Sequence, residues 1–149
     1  MEFIYTFLIS ISPFGEARVG IPYGVVKGIP VYWSFLIGLT ANLLVFPLFF
    51  KCIYLMNTFL WKHKFYKKSA VFLSKNAKRK TKSSIAKYGA WGLMVFVMIP
   101  LPITGAYTGT IAAYILGMEY KKSLIAVSIG VTISSVIIST MMYLGVKSF

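Results

Sequence analysis

The two side chains best suited to chemistry are Glu16 and Arg18, which stand two positions apart in an apolar stretch. A charge at the centre of a bilayer costs on the order of 2.5–3.5 kcal/mol, so such a residue marks a functional hypothesis. Residues i and i+2 point the same way in an extended turn, which makes a Glu16–Arg18 pair feasible. Arg18 suits a phosphate, whereas Glu16 could bind a cation or carry a coupled proton. The alternative is a static pair that pins the turn.

A second polar cluster, uncharged, lies in the other half of the chain. It offers hydroxyl groups, a phenol and a glycine that allows close backbone approach. Helix N-termini after Pro13 and Pro102 would direct unpaired N–H groups and positive dipole ends at the same place. The two clusters together predict a substrate-binding set: Gly15, Glu16, Arg18, Thr104, Gly105, Tyr107 and Thr108.

Both clusters belong to a repeat. The segment 13–20, PFGEARVG, recurs 89 positions later as 102–109, PITGAYTG. Each copy interrupts a short apolar run and precedes a long one. Paired, interrupted hydrophobic segments in the two halves of a membrane protein point to a transporter site. The predicted breaks are at four prolines: Pro13, Pro22, Pro100 and Pro102.

Composition places the chain in a membrane, because 58% of its residues are hydrophobic and only 13% are charged. The uncharged runs 31–50 and 123–146 are each long enough to cross a hydrocarbon core of roughly 30 Å at about 1.5 Å per residue. The runs 3–11 and 89–99 reach about half way and then meet proline. We therefore predict two spanning helices and two shorter interrupted segments.

Irregular backbone at membrane depth is tolerated only where protein or a wet cavity covers it. This predicts an all-α integral membrane fold, an inverted repeat of a re-entrant helical hairpin plus a transmembrane helix. The alternative is a pair of spanning helices kinked at proline. The predicted boundaries are a first repeat 1–61 with hairpin 3–28 and helix 31–50, a linker 62–87, and a second repeat 88–149 with hairpin 89–117 and helix 123–146.

Charge predicts the orientation. Segment 62–87 holds ten of the sixteen basic residues and no acid. The positive-inside rule makes that segment cytoplasmic, together with Lys51, Lys121 and Lys122. It could lie as an amphipathic helix on an anionic bilayer surface or serve only to set the topology. No recognition motif accompanies the net charge of +13, so nucleic acid is not an expected partner.

The remaining residue types point away from catalysis. Cys52 is the single cysteine, and the sequence shows no metal cluster, catalytic triad or phosphate-binding glycine loop. We expect no enzyme activity and no cofactor beyond a coupled proton. The N-terminus lacks a basic region before its apolar run and a small-residue cleavage site, so no removed signal peptide is expected. Two spans and two hairpins leave the tips poorly shielded from lipid, which predicts a homodimer.

The stretch 13–24 and the stretch 100–109, PLPITGAYTG, resemble the bacterial and archaeal "putative small multidrug export" proteins, and the resemblance runs over nearly the whole chain. Ile103 replaces a glycine of the family pattern, and Tyr107 replaces a tryptophan. The family is similar in layout to DedA-type membrane proteins, which are built from opposed re-entrant hairpins. The resemblance implies a multi-pass protein of a prokaryotic cell membrane and transport of lipid phosphates, notably undecaprenyl phosphate.

The sequence thus predicts a small transporter that opens alternately to the two faces as one repeat rocks against the other. The first expected substrate is an anionic amphiphile such as a polyprenyl phosphate lipid. The second is a lipophilic cation bound at Glu16 and exchanged for protons. A non-transporting membrane scaffold stays open, whereas an intramembrane enzyme with Glu16 as base lacks a nucleophile–base pair.

Overall fold

The computed structural model describes residues 1–60, 85–99 and 105–147. Within these ranges the chain forms six α-helices and no strand. Residues 62–84 of the predicted basic linker 62–87 lie outside the described residues. Pro100, Pro102 and Thr104 also lie outside them. The helices in chain order are α1 Glu2–Ile11, α2 Glu16–Val26, α3 Val31–Leu60, α4 Ile85–Met98, α5 Ala106–Ile115 and α6 Tyr120–Lys147.

Two of the helices are long enough to cross a membrane. Helix α3 has 30 residues and α6 has 28, or about 45 and 42 Å at 1.5 Å per residue. Both are apolar enough to be candidate membrane spans, and they contain the runs 31–50 and 123–146 that the sequence predicts to span. Large apolar side chains on both helices are exposed, including Leu44, Leu48 and Ile125. Lipid contact explains this exposure in a membrane protein.

Helices α1 and α2 are short and pack against each other in antiparallel fashion. Their contact is close because Gly20 faces Ser10, and Gly24 faces Thr6. The hydroxyls of Thr6 and Ser10 donate to carbonyls four residues earlier, at 2.9 and 2.7 Å, so burying them leaves no donor unpaired. Small and hydroxyl-bearing residues at a helix interface are typical of membrane helix packing.

The two halves of the chain share one core. Val45 and Phe46 of α3 pack in one cluster with Leu93 and Val97 of α4, and residues of α5 and α6 complete it. Aromatic side chains of α3 and α6 pack together at one end of this core. The ring centroids of Phe50 and Tyr120 lie 5.1 Å apart, and the two rings pack edge-on. The apolar core therefore joins the halves rather than separating them.

Local structure recurs at the same 89-residue offset as the sequence motif. Helix α3 begins at Val31 and α6 at Tyr120. The turn before each of them carries a glycine with positive φ, Gly28 at 87° and Gly117 at 65°. The backbone hydrogen bonds also correspond, because Ile29 donates to Gly24 at 2.9 Å and Met118 donates to Ala113 at 3.0 Å.

Burial on the long helices follows the same offset. The buried positions of α3 all have a buried counterpart 89 residues later on α6, which means that both helices present equivalent faces to the core. The pairs are Ser34 with Ser123, Gly38 with Val127, Ala41 with Gly130, Asn42 with Val131, Val45 with Ser134, and Phe46 with Ser135.

Two backbone features differ from the sequence prediction. Pro13 lies in the turn between α1 and α2, but Pro22 lies inside α2, so its predicted role as a break is wrong. Proline removes one hydrogen bond from a helix interior, and the buried face of Ala17, Gly20, Ile21 and Gly24 keeps α2 continuous. Helix α4 is kinked at Gly89, whose φ of 51° is one that side-chain-bearing residues rarely adopt.

Replacement of Gly20 by alanine tests the α1–α2 contact. A Cβ at this position would collide with the Ser10 hydroxyl and lie 3.1 Å from the Ser10 Cα, which cannot move without shifting α1. We expect Gly20→Ala to lower the free energy of unfolding by about 1–3 kcal/mol, although alanine is normally the better helix former. Equilibrium unfolding in mixed micelles measures this change.

Gly145→Ala is the matched control, because no described atom outside the backbone of its own helix turns lies within 4 Å of the added Cβ there. We expect this variant to be as stable as the wild type or slightly more so. Equal effects of the two substitutions would contradict the close packing of α1 on α2.

Candidate functional site

Glu16 begins α2 and directs its carboxylate at the start of α5. Its backbone φ is 50°, which is uncommon for a residue with a side chain, and only 8% of the residue is exposed. The backbone N–H of Tyr107, the second residue of α5, donates to Glu16 Oε1 at 3.3 Å. A carboxylate from the first half of the chain thus caps the N-terminus of a helix in the second half.

Gly105 makes this approach possible. A Cβ on Gly105 would collide with the carboxylate of Glu16. The φ of Gly105 is 175°, an extended conformation open to any residue, so the requirement is for space. Thr108 completes the helix start, because Gly105 N–H donates to Thr108 Oγ1 at 2.9 Å. Both residues therefore have a structural role at the beginning of α5.

Arg18 contacts the helix end on the other side of the same break. Its Nη2 donates to the carbonyl oxygen of Val97, at the C-terminal end of α4, at 3.2 Å. Its Nε lies 4.0 Å from Glu16 Oε2, and both side chains are close to nine-tenths buried. The negative charge thus meets the positive end of α5, and the positive charge meets the negative end of α4.

Tyr107 connects the start of α5 to the end of α1. Its phenol hydroxyl donates to the carbonyl oxygen of Ile11, the last residue of α1. Its ring packs edge-on against Phe49, with 4.8 Å between the ring centroids. Tyr107 therefore binds Ile11 through its side chain and Glu16 through its backbone N–H. These two residues lie on either side of the turn between α1 and α2.

The structure brings five of the predicted site residues into one network: Glu16, Arg18, Gly105, Tyr107 and Thr108. Gly15 lies beside them, but the side of Gly15 that a Cβ would occupy faces Ile9 of α1. Thr104 lies outside the described residues. Within the described residues no cluster of side chains could hold a metal ion.

The geometry of the charged pair differs from the extended turn expected from sequence. Glu16 and Arg18 both lie in the first turn of α2, where residues i and i+2 do not face each other. Each charge also has a hydrogen-bond partner in the second half of the chain, Tyr107 N–H for Glu16 and the Val97 carbonyl for Arg18. Their spacing therefore lets the two side chains reach the two helix ends that flank residues 99–105 while they remain 4.0 Å from each other.

The sequence does not reveal the partners of these charges, the carbonyl of Val97 for Arg18 and the backbone amide of Tyr107 for Glu16. It also does not reveal that the Tyr107 hydroxyl binds the carbonyl of Ile11. A backbone group carries no residue-type signal. Proline at position 100 was the one indication that a helix ends nearby and leaves carbonyls without intrahelical partners.

Comparison with known proteins gives one match. Residues 16–137 match the model of the family described as "Putative small multi-drug export protein". The match begins at Glu16 and includes every residue of the network except the Ile11 carbonyl. No curated protein and no solved structure matches the chain.

A double-mutant cycle tests the contact between Gly105 and Glu16. We expect Gly105→Ala to lower the free energy of unfolding by about 1–3 kcal/mol, because the new Cβ displaces the carboxylate. Glu16→Ala should cost about as much, since it leaves amide groups of α5 unpaired. The double variant should lose less than the sum, with a coupling energy of roughly 0.5–3 kcal/mol from unfolding in mixed micelles. Strictly additive effects would show that the two residues act independently.

Proposed function

We propose that this chain, which belongs to the small multi-drug export protein family, is a small membrane transporter whose binding site lies where α2 meets the start of α5. One observation carries the proposal: a glutamate and an arginine, with side chains close to nine-tenths buried, lie at the contact between the two halves of the chain, which share an apolar core. Charges in such a position are costly, and in membrane proteins they mark substrate or ion pathways.

The proposed architecture is an inverted repeat of two re-entrant hairpins and two spanning helices, as in DedA-type proteins. Helices α1 and α2 have 10 and 11 residues, so each extends about 15 Å, half of the hydrocarbon core. The equivalent helix starts, positive-φ glycines and buried faces at the 89-residue offset support the repeat. Alternating access would follow from rocking one repeat against the other.

The proposed orientation places the basic face in the cytoplasm of a prokaryotic cell. The ring contact between Phe50 and Tyr120 brings Lys51 to the same level as Lys121 and Lys122, and all three lysines are exposed. Their position beside aromatic residues is typical of a membrane interface, and excess lysine is typical of the cytoplasmic side.

An anionic amphiphile, such as a polyprenyl (undecaprenyl) phosphate lipid, is the substrate that we favour. Arg18 and the N-terminus of α5 both attract an anion. The carboxylate of Glu16 takes up the N–H groups of α5 in this structure. A substrate phosphate would therefore compete with Glu16 for them, and the exchange would loosen a contact that joins the two halves.

Efflux of lipophilic cations is the second candidate. The buried carboxylate of Glu16 supports it, because a cation could replace Arg18 as the counter-charge, with a proton as the exchanged ion. The description of the family as multi-drug export proteins also favours a drug-like substrate. A scaffold without transport is the third candidate, since capping two helix ends is a sufficient structural reason for both charges.

Ligand retention by purified protein in native mass spectrometry separates these candidates. Anion transport predicts that undecaprenyl phosphate is retained by the wild type and lost in Arg18→Ala, because the guanidinium is the fixed positive charge. It further predicts that Glu16→Gln retains the lipid more strongly, since a neutral amide competes less for the amides of α5. Lys51→Ala, on the exposed surface, is the matched control and should behave as the wild type.

Other outcomes would support the other candidates. Retention of ethidium by the wild type, lost in Glu16→Gln, would favour cation export. Retention of neither probe by a folded wild-type protein would favour the scaffold.

We also propose a homodimer, with one contact on the part of α3 that extends past Lys51. This part carries an exposed apolar stripe at helical spacing: Cys52, Leu55, Met56 and Phe59. Leu55 and Phe59 are 59% and 73% exposed, and they lie beyond the lysines that mark the proposed membrane boundary. The same stripe on a second copy would cover them in a two-fold arrangement.

Cross-linking at Cys52 tests this contact directly, because it is the single cysteine of the chain. We expect mild oxidation of the protein in membranes to yield a disulfide-linked dimer, and Cys52→Ser to remain monomeric on a denaturing gel. A monomeric mass in detergent together with no cross-link would contradict the dimer.

A further inference from the structure

Arg18 and Tyr107 occupy equivalent positions in the two halves of the chain. They stand 89 residues apart, at the same place in the segments PFGEARVG and PITGAYTG. Each lies in the first turn of the second short helix of its half, Arg18 in α2 and Tyr107 in α5. The residue types suggest no common task, since one side chain is a cation and the other a phenol. Their contacts nevertheless correspond.

Both side chains donate a hydrogen bond to a helix end in the opposite half. Arg18 Nη2 donates to the carbonyl oxygen of Val97 at 3.2 Å, and the Tyr107 hydroxyl donates to the carbonyl oxygen of Ile11. Val97 lies in the last turn of α4, and Ile11 is the last residue of α1. The carbonyls of a last turn have no partner within their own helix. The acceptors are not exact counterparts, because the residue 89 positions before Val97 is Leu8, one helical turn before Ile11.

These two hydrogen bonds, called here the Arg18 latch and the Tyr107 latch, lie beside a contact between equivalent residues. Gly105 is the counterpart of Glu16 at the 89-residue offset, and a Cβ on Gly105 would collide with the Glu16 carboxylate. That carboxylate lies 4.0 Å from Arg18 Nε and accepts the backbone N–H of Tyr107. Equivalent positions that touch lie at the axis relating two copies, and a contact away from such an axis occurs twice. The latches fit that paired contact.

Both latches are closed in this structure, and the residues next to them are covered. Ala17 and Ala106 are also counterparts at the 89-residue offset, and they are 1% and 0% exposed. Glu16 is 8% exposed. A transporter that opens to one face at a time has to close its site in between. The structure therefore fits the closed state of the proposed cycle.

We propose that the Arg18 latch and the Tyr107 latch each hold the site closed toward one face of the membrane. The inference rests on the proposed function and its inverted repeat. In an inverted repeat the two-fold axis lies in the membrane plane, so it exchanges the faces. If opening to one face breaks one latch and keeps the other, the symmetry requires the reverse on opening to the other face. Tyr107 thereby acts in the cycle without contacting the substrate.

The latches differ in chemistry, so a ligand can act on one without the other. The guanidinium of Arg18 binds an anion more strongly than a neutral carbonyl, because the hydrogen bond is then charged at both ends. An anionic head group would therefore draw Arg18 away from Val97. The Tyr107 hydroxyl is a neutral donor and has no such preference. The anionic ligand should thus favour the opening that the Arg18 latch restrains.

Access of an impermeant thiol reagent to a buried cysteine tests each face separately. Ala106→Cys together with Cys52→Ser gives one reporter beside the site, because Cys52 is the single cysteine of the chain. A charged methanethiosulfonate is applied to right-side-out and to inside-out membrane vesicles. The reporter protein with both latches intact should be modified slowly from both faces, since the cycle opens the site to each in turn.

Tyr107→Phe removes the Tyr107 latch and keeps the ring that packs against Phe49. We expect the modification rate to rise roughly two- to tenfold from one face, the effect of losing one neutral hydrogen bond. The rate from the other face should stay unchanged or fall. Tyr143→Phe is the matched control, because Tyr143 is 56% exposed and its hydroxyl makes no hydrogen bond with the described residues. It should leave both rates unchanged.

Arg18→Met combined with Glu16→Gln removes the Arg18 latch without leaving an unpaired buried charge. Glu16→Gln alone is its control. Relative to that control, the combined variant should raise the rate from the opposite face by about tenfold or more, because the lost donor is charged. If the combined variant does not fold, Tyr107→Phe decides alone: a one-sided increase supports the latch, and an unchanged or two-sided rate refutes it.

The remaining outcomes separate this inference from the proposed function. Increases from the same face in both latch variants, or unchanged rates in folded variants, would overturn the latches. If the intact reporter is still modified slowly from both faces, transport stands in that case. A reporter protein that is modified from neither face, even after long exposure, would indicate a site that never opens. That result would refute transport and the latches together.

Discussion

The contact of Glu16 and Arg18 with two helix ends is the interaction on which the arrangement of the halves depends. A helix that stops inside an apolar environment leaves N–H and C=O groups that lipid cannot satisfy. The carboxylate of Glu16 accepts hydrogen bonds at the start of α5, and the guanidinium of Arg18 donates one at the end of α4. The first half of the chain thereby satisfies the polar groups that the break leaves in the second half, and each charge is stabilised by the helix end it meets.

Small residues bring these groups within reach. Gly105 leaves room for the carboxylate, Gly20 lets α1 approach α2, and Gly109 lies against Val97 of α4. Tyr107 adds a hydroxyl bond to Ile11, so the start of α5 holds α1 and α2 together.

The same contact gives the proposed transport cycle a physical basis. In the proposed cycle, rocking one half of the chain against the other would separate α2 from α4 and α5 and would expose a carboxylate, a guanidinium and two helix ends together. A ligand that supplies an anion to α5 and Arg18 would lower the cost of that separation, because the polar groups would remain paired. A scaffold would have no such ligand, and the charges would only hold the halves in place.

The amino-acid sequence by itself determined the family, the all-helical class and the two helices long and apolar enough to cross a membrane, and it singled out Glu16 and Arg18 as candidates, since hydrophobic run length and an isolated charge are properties of composition and spacing. Only the tertiary structure decided that α2 continues through Pro22, that the charges cap α5 and α4, and that Gly105 is required for space. These features depend on backbone groups and on contacts between residues about 80 to 90 positions apart. No local pattern records which distant helix end a side chain will meet, because that is set by how the two halves pack.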